Sequence, residues 1–272
     1  MNDRTWVTER DRYDRMLSPF SDALLRAADL QPGERVLDVG CGTGSTTLQA
    51  AQAVSPNGSM IGIDTNPDIT AIAAQRARHA EAVTIVTGDA ATYQPPQPVD
   101  VIIARFATML FTNPVEAHRN LAAALRPGGR FVAVVWQAPA RNLWHQLPMQ
   151  AVHAHLQLDR PQASEAPGPF ALADPTRINA LLRDAGFAVA RIDPIEARSW
   201  LARDVDDAVD FFNDASGDDL HKIAPPTTID AIRDTLRASL RPYRTDTGIE
   251  LPSAAWLIEA TIKRRDARKT LP

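Results

Sequence analysis

At 272 residues the chain is long enough for one sizeable α/β domain with an insertion or for two small domains, and one domain plus a cap is the expected organisation. A hydrophobic fraction of 44% and a charged fraction of 23% are those of a soluble globular protein, and the net charge of -4 excludes a bulk attraction for nucleic acid or an anionic membrane. With Cys41 as the single cysteine, an intrachain disulfide and a multi-cysteine metal site are excluded as well.

Met1 to Arg15 alternates charged with aromatic residues and lacks the apolar run of a signal peptide, and no later stretch reaches membrane-spanning length, so a cytoplasmic protein is expected. Met16, Phe20, Leu24, Leu25 and Ala28 recur at helical spacing and predict one or two amphipathic helices against the sheet edge. From Gln31 the pattern alternates strand with helix. Arg35 to Val39 is a short, β-branched apolar run that ends in glycines, and Leu48, Ala50 and Ala51 follow at helix-compatible spacing, which reads as strand, tight turn and helix. Glycines let such a turn adopt unusual backbone angles and bring the main chain close to a ligand, while the helix start beyond them offers unpaired N–H groups.

Ser59 to Asp64 is the second predicted strand, and Asn66-Pro67 supplies an N-cap and a first-turn proline for a helix carrying Ile69, Ile72 and Ala73. Asp64 ends that strand 20 residues beyond Gly44, the spacing at which an acidic residue of a Rossmann-like unit accepts ribose hydroxyls. Val83 to Thr87 is the third strand, closed by Gly88-Asp89-Ala90. Pro95, Pro96 and Pro98 break any helix there, and Val99 to Ala104 forms a fourth strand with Asp100 just inside its start. It ends at Arg105-Phe106, at the carboxyl end of the sheet, where open α/β folds bind ligands.

Asn113-Pro114 opens a helix through Leu125, and Arg126-Pro127-Gly128-Gly129 turns into the strand Arg130 to Trp136. Residues 137 to 173, with Trp144, His145, His153 and His155 before a proline-rich loop, read as an insertion near the mouth of the site. Asp174-Pro175 caps a helix with Ile178, Leu181 and Leu182 that stops at Gly186, and Ala188 to Ile195 is the sixth strand. Arg203 to about Thr245 is helical, with Phe211-Phe212 and then Ile229, Ile232, Leu236 and Leu240. Ala254 to Thr261 is the last strand, before a basic tail of Lys263, Arg264, Arg265, Arg268 and Lys269 that reads as a solvated end.

The glycine spacing separates two cofactor classes. A dinucleotide fingerprint needs G-x-G-x-x-G, whereas Gly40, Gly42 and Gly44 give G-x-G-x-G, with Ser45 at the third dinucleotide position. Asp38 adds a carboxylate that would repel a pyrophosphate and attract a cation. Asp38, Gly40, Gly42 and Gly44 together resemble the first motif of the class I S-adenosylmethionine-dependent methyltransferases, E/D-x-G-x-G-x-G. Leu125-Arg126-Pro127-Gly128-Gly129-Arg130 resembles the turn before the fifth strand of many small-molecule members, and the matched motifs run in the expected order from Val36 to about Val135.

This resemblance implies a Rossmann-like α/β fold: a mostly parallel seven-stranded sheet with helices on both faces. It also implies a helical lid over residues 1–30, a methyltransferase domain over 31–272, and cap insertions at about 137–173 and 203–245. S-adenosylmethionine is the implied cofactor, S-adenosylhomocysteine the product, and a small organic molecule the acceptor. Asp38, Gly40, Cys41, Gly42 and Gly44 would form the donor corner, Asp64 and Thr65 the ribose site, and Asp89 and Ala90 the adenine site. Tyr13, with Trp6, belongs to a segment that in the family commonly lies over the donor; the alternative is that both merely pack. Arg105 either pairs with the donor's carboxylate or an anionic substrate, or makes a structural ion pair.

His145, next to Trp144, is the candidate general base for a hydroxyl acceptor because histidine titrates near neutral pH, and a plain hydrogen-bonded or surface histidine is the alternative. Asp206 and Asp207, like Asp218 and Asp219, are adjacent carboxylates without ligand spacing, so no metal is expected. Trp144, Trp200, Phe211 and Phe212 suit an apolar pocket, which makes O-methylation in specialised metabolism the leading reading, with C- or N-methylation open. Ala104-Arg105-Phe106-Ala107 lacks the Asn/Asp-Pro-Pro-Tyr/Phe signature of amide and base N-methyltransferases. The rival functions are an NAD-dependent oxidoreductase, a noncatalytic donor-binding module, and an RNA or protein methyltransferase. No nucleic-acid or membrane partner is expected, and a homodimer is compatible with this reading.

Overall fold

The computed structural model describes residues 3–158, 166–216 and 218–262. Its strands are β1 (Arg35–Val39), β2 (Ser59–Asp64), β3 (Val83–Thr87), β4 (Val99–Arg105), β5 (Leu125–Trp136), β6 (Ala188–Ala202), β7 (Arg244–Thr245) and β8 (Gly248–Thr261). The helices are α1 (Asp3–Thr8), α2 (Arg10–Ala28), α3 (Ser45–Val54), α4 (Pro67–Ala77), α5 (Pro114–Ala124), α6 (Leu143–His155), α7 (Pro175–Asp184), α8 (Val205–Ser216), α9 (Asp218–Ile223) and α10 (Pro226–Leu240). None of the described helices is long and apolar enough to cross a membrane. The basic tail from Lys263 lies outside the described residues.

The sheet runs β3-β2-β1-β4-β5-β8-β6, with β7 added as a short hairpin partner of β8. β1 pairs in parallel with both β2 and β4, β2 with β3 and β4 with β5, while β8 lies antiparallel to β5. The seven predicted strands are all present, and the two-residue β7 is the eighth. Chain order reverses between β1 and β4, and such a switch point opens a crevice at the carboxyl ends of the strands.

Two compact units divide the chain. The larger comprises Phe20–Trp136, Ala166–Ile195 and Ala255–Pro272; the other comprises Met1–Pro19, Gln137–Glu165 and Glu196–Ala254. In the larger unit, parallel strands covered on both faces need near-continuous apolar runs, and Leu37, Ile63, Ile102, Ile103 and Phe131 are fully buried there. Asn66 Oδ1 accepts from the Asp68 and Ile69 N–H groups and Pro67 opens the helix, so α4 starts where the sequence predicts. Asp174 caps α7 through the Thr176 N–H.

Three strand boundaries differ from the sequence reading. β5 already pairs at Leu125 with Val99, then shifts register before Arg130 meets Val101. The Arg-Pro-Gly-Gly turn is thus an irregularity inside the strand, held by Asp100, which accepts from the Arg35 N–H at 2.7 Å and from Arg126 Nε. β6 continues to Ala202 and β8 begins at Gly248. Both added stretches alternate charged with apolar residues and carry ion pairs such as Arg198–Glu250, a pattern with no uniform apolar run to read.

The second unit is organised by long-range polar contacts. Buried Asn142 donates to the Gln137 and Ala254 carbonyls and accepts from the Ala254 N–H, joining the start of α6 to β8. Arg12 donates to Asp207 at 2.9 Å, to Glu9 at 2.8 Å and to the Leu201 carbonyl at 2.9 Å, and its guanidinium lies 4.7 Å from the Phe211 ring centre. These bonds hold the Asp207 carboxyl well below the usual carboxylate range, with the Arg203 and Arg12 hydrogen bonds outweighing burial.

Candidate active site at the glycine corner

β1 ends in a corner that only glycine can build. Gly40 has φ 66, in the left-handed region, and a Cβ placed on it would stand 2.3 Å from the Ala107 Cβ. Its N–H and that of Cys41 both donate to the Ile63 carbonyl, at 2.9 and 3.0 Å, so the corner is tied to β2. The Gly42 N–H donates to Asp64 Oδ2 at 3.1 Å, and Asn66 N–H donates to Asp64 Oδ1 at 3.1 Å. Each carboxylate oxygen thereby takes one main-chain donor and keeps further lone-pair capacity, on a side chain whose orientation is fixed from both sides.

Above this corner lies a cavity of about 450 Å³. Gly40, Asp64, Thr65, Asp89 and Ala90 all line it, so the structure brings one residue of the predicted corner together with the predicted ribose and adenine positions. Asp89 Oδ1 accepts from the Ala91 N–H at 2.8 Å, and no partner of Oδ2 occurs among the described residues. Ala107, Leu110 and Phe111, from the segment after β4, form a further wall. Sequence reasoning stopped at Arg105-Phe106 and missed this wall. Its one signal was position, at the carboxyl end of a strand beside the switch point.

Asp38, Cys41, Gly42, Gly44 and Arg105 do not line the cavity. Asp38 is buried beneath the corner, where it accepts from Thr47 Oγ1 at 2.6 Å. Burial pushes its carboxyl up to about 6, with the Thr47 hydrogen bond and the Arg105 charge opposing the rise. The Arg105 Nη1 donates to Ser21 Oγ at 2.6 Å. Burial likewise pushes the Cys41 thiol up, which keeps it protonated and unsuited to nucleophilic chemistry. Gly44 packs on α4, a Cβ there falling 3.2 Å from the Ala73 Cβ.

Tyr13 and His145 belong to the other unit. Tyr13 is fully buried, stacked on Trp6 with ring centres 3.9 Å apart and edge-on to Phe211 at 5.6 Å, and its hydroxyl has no partner among the described residues. His145 lies in the first turn of α6, its ring edge-on to Trp144, and burial lowers its affinity for a proton.

The donor set of the cavity selects its ligand. Acceptor-only carboxylates at the tips of β2 and β3 suit ribose hydroxyls and an exocyclic amine, both proton donors, and repel a phosphate. An adenosyl group without phosphates fits these residues, and the volume is that of a small-molecule site. The fold and this corner therefore define a nucleoside-binding, doubly wound α/β protein.

Comparison with known proteins makes the assignment specific. The family model described as a methyltransferase domain matches residues 30–167, and the chain belongs to that family, among the class I S-adenosylmethionine-dependent methyltransferases. It is 33% identical over 186 residues to the nocamycin O-methyltransferase of Saccharothrix syringae, covering 64% of this chain and 66% of that one. Against the trans-aconitate 2-methyltransferase of Klebsiella pneumoniae the identity is 34% over 132 residues, covering 47% and 50%. The chain thus spans half to two thirds of the length of these curated relatives. A solved S-adenosylmethionine-dependent methyltransferase from Aquifex aeolicus has the same fold, with a TM-score of 0.53 at 19% identity over 71% of this chain and 92% of that one.

Proposed function

We propose that this chain transfers a methyl group from S-adenosylmethionine to a small organic acceptor, by O-methylation in specialised metabolism. The observation that carries the reading is the cavity over the glycine corner, in which Asp64 and Asp89 present carboxylates to a neutral nucleoside. The nocamycin O-methyltransferase among the relatives supports oxygen as the methylated atom. When bound, S-adenosylmethionine supplies a methyl carbon activated by its sulfonium.

The chain's own residues bind and orient. Asp64, already aligned by two main-chain N–H groups, would accept the ribose hydroxyls with Thr65 beside it, and Asp89 would accept the adenine amino group with the Ala90 N–H donating to the ring. Gly40 brings main chain up to the donor, Cys41, Gly42 and Gly44 shape the turn that carries it, and Asp38 and Arg105 shape the charge beneath it. Residues 1–30, with Tyr13, act as a lid that excludes water, and the insertions at about 137–173 and 203–245 form the acceptor cap. Positioning is the main catalytic device, since aligned intramolecular analogues gain roughly 7 to 11 kcal/mol at the upper limit. His145 takes the proton from a hydroxyl acceptor; its lowered proton affinity keeps the ring neutral at neutral pH, the form a base requires. A cytoplasmic enzyme without a metal, acting alone or as a homodimer, completes the reading.

The test is turnover. Incubation with S-adenosylmethionine and a panel of phenols, enols and carboxylic acids should release S-adenosylhomocysteine and give a product heavier by one methylene unit, with NMR locating the methyl on oxygen. His145→Ala should lower kcat while leaving donor affinity within about twofold, since the base touches only the acceptor's proton. A product methylated on carbon or nitrogen refutes the oxygen assignment, and a His145→Ala enzyme with the wild-type rate refutes the base.

A further inference from the structure

Phe106 is the residue on which the cavity wall turns. It has φ 56, a left-handed backbone that a bulky L side chain rarely adopts and that persists only where the surroundings over-determine it. The surroundings here do so from two sides. Its N–H donates to the Val134 carbonyl at 2.8 Å, continuing the β4–β5 ladder one residue beyond the strand. Its ring lies flat on Trp136, with centres 3.7 Å apart and planes 12° from parallel, and Phe20 meets both rings edge-on at 5.3 and 5.1 Å.

The sharp turn separates two different neighbourhoods. Before it, Arg105 reaches Ser21 and adds a positive charge near buried Asp38. After it, Ala107 is set so close to Gly40 that no Cβ fits between them, and the short turn Thr108–Leu110, closed by the Leu110 N–H to the Ala107 carbonyl, presents Leu110 and Phe111 to the cavity. A right-handed or extended backbone at position 106 would send the chain out in another direction and carry the whole wall with it. Nothing else in the sequence dictates this turn, because position 106 holds neither glycine nor asparagine.

We propose that Phe106 is a positioning residue for the donor cavity: held in a left-handed turn by the triad of Phe20, Phe106 and Trp136, it sets the Ala107–Phe111 wall against the glycine corner. This rests on the donor reading given above and adds the residue that fixes the cavity's second side. Strain at a ligand site is useful in this way because a wall held in advance costs nothing to order when the ligand arrives.

Titration calorimetry with S-adenosylhomocysteine tests it on the wild-type chain, Phe106→Tyr, Phe106→Ala and Phe106→Gly, alongside thermal unfolding of each. Phe106→Tyr retains the stacked ring and should bind within about threefold of wild type, whereas Phe106→Ala and Phe106→Gly should raise Kd by about tenfold or more. Glycine accepts the left-handed angle without cost, so Phe106→Gly should be no less stable than Phe106→Ala and still bind poorly. A role confined to packing would lower the unfolding temperature and leave the Kd of the folded protein unchanged. Tight binding by Phe106→Gly beside tight binding by wild type therefore overturns this inference alone. A wild-type chain that does not bind overturns the donor reading, and this inference with it. Should neither truncation fold, Trp136→Leu removes the same stack from outside the turn, and wild-type affinity in that variant overturns the proposal while a tenfold loss upholds it.

Discussion

The glycine corner and the Arg12 cluster are held together by opposite kinds of information. At the corner, neighbours in sequence do the work: Gly40, Gly42 and Gly44 shape the turn, and Asp64, a residue of the next strand, clamps it through one main-chain N–H. In the other unit, Arg12 meets a carboxylate 195 residues away and stands over the ring of Phe211. The first kind of site is written in a short motif. The second exists only after the chain has folded, since no local pattern tells an arginine which of many aspartates it will pair with. Substitutions at the corner should therefore act on ligand binding and backbone geometry, and those at the cluster on stability.

The largest expected effect falls at Gly40. Gly40→Ala should cost about 3 kcal/mol or more, combining a left-handed penalty with the collision at Ala107, and should abolish measurable donor binding. Gly42→Ala separates the two causes: its φ is 55, yet nothing stands within 4 Å of the added Cβ, so only the backbone penalty of about 1–2 kcal/mol remains. The double variant Gly40→Ala with Ala107→Gly should recover part of the loss. Thermal unfolding and donor titration check all three, and equal effects at Gly40 and Gly42 would remove the steric argument.

Next in size is a pH effect within the same unit. His118 is buried, with Nδ1 2.7 Å from the Pro114 carbonyl and its ring edge-on to Phe111 and Phe131, and burial lowers it from 6.5 to about 4. The stability that neutral His118 lends is present above pH 6.5 and is lost as pH falls through about 4, by on the order of 3 kcal/mol. Asp38 acts in the opposite sense. Raised from 3.8 to about 6, it lends stability that is fully present below 3.8 and lost as pH rises through about 6. The wild-type profile between pH 4 and 6.5 should thus be shallow. His118→Phe should expose the Asp38 contribution as stability that increases on acidification, and an unchanged slope in denaturant titrations would refute the assignment.

Asp64→Asn comes third. Loss of the charge should weaken donor binding by about 2 kcal/mol while the amide oxygen retains a main-chain donor, whereas Asp64→Ala should also loosen Gly42 and Asn66. Calorimetry with equal affinities for wild type and Asp64→Asn would contradict a ribose role.

The smallest change belongs to the Arg12 cluster. Arg12→Ala should cost about 1–2 kcal/mol of stability, through lost charge-assisted hydrogen bonds and ring contact. Because Asp207 is held below its ordinary value, this contribution is present above the usual carboxylate range and is lost as pH falls through the depressed value. A denaturation midpoint insensitive to Arg12→Ala at neutral pH would show the cluster to be energetically silent.

Much of the larger unit was legible in the residues. Asn66-Pro67 and Asp174-Pro175 marked helix starts because a capping side chain and a proline act within one turn, and the apolar runs of β1 and β4 marked strands covered on both faces. The extensions of β6 and β8 were hidden, since their charged residues interrupt any apolar run and find partners such as Arg198–Glu250 only once the strands are paired. At the site, Asp64 was readable from its spacing at a strand tip, and Asp89 and Ala90 from the family resemblance. Phe106 and Ala107 were not.

The sequence by itself determined the parallel nucleoside-binding sheet, the cofactor class and the position of the glycine corner, because those depend on short-range steric rules that a handful of residues satisfy in only one way. Tertiary structure decided that Asp38 is buried against Thr47 and that Phe106 takes a left-handed backbone just before the Ala107–Phe111 segment. It also decided that Arg12 is joined to Asp207. Each of these depends on which distant side chains meet, and burial, the strength of a charge and the tolerance of strain are properties of that meeting and of no residue alone.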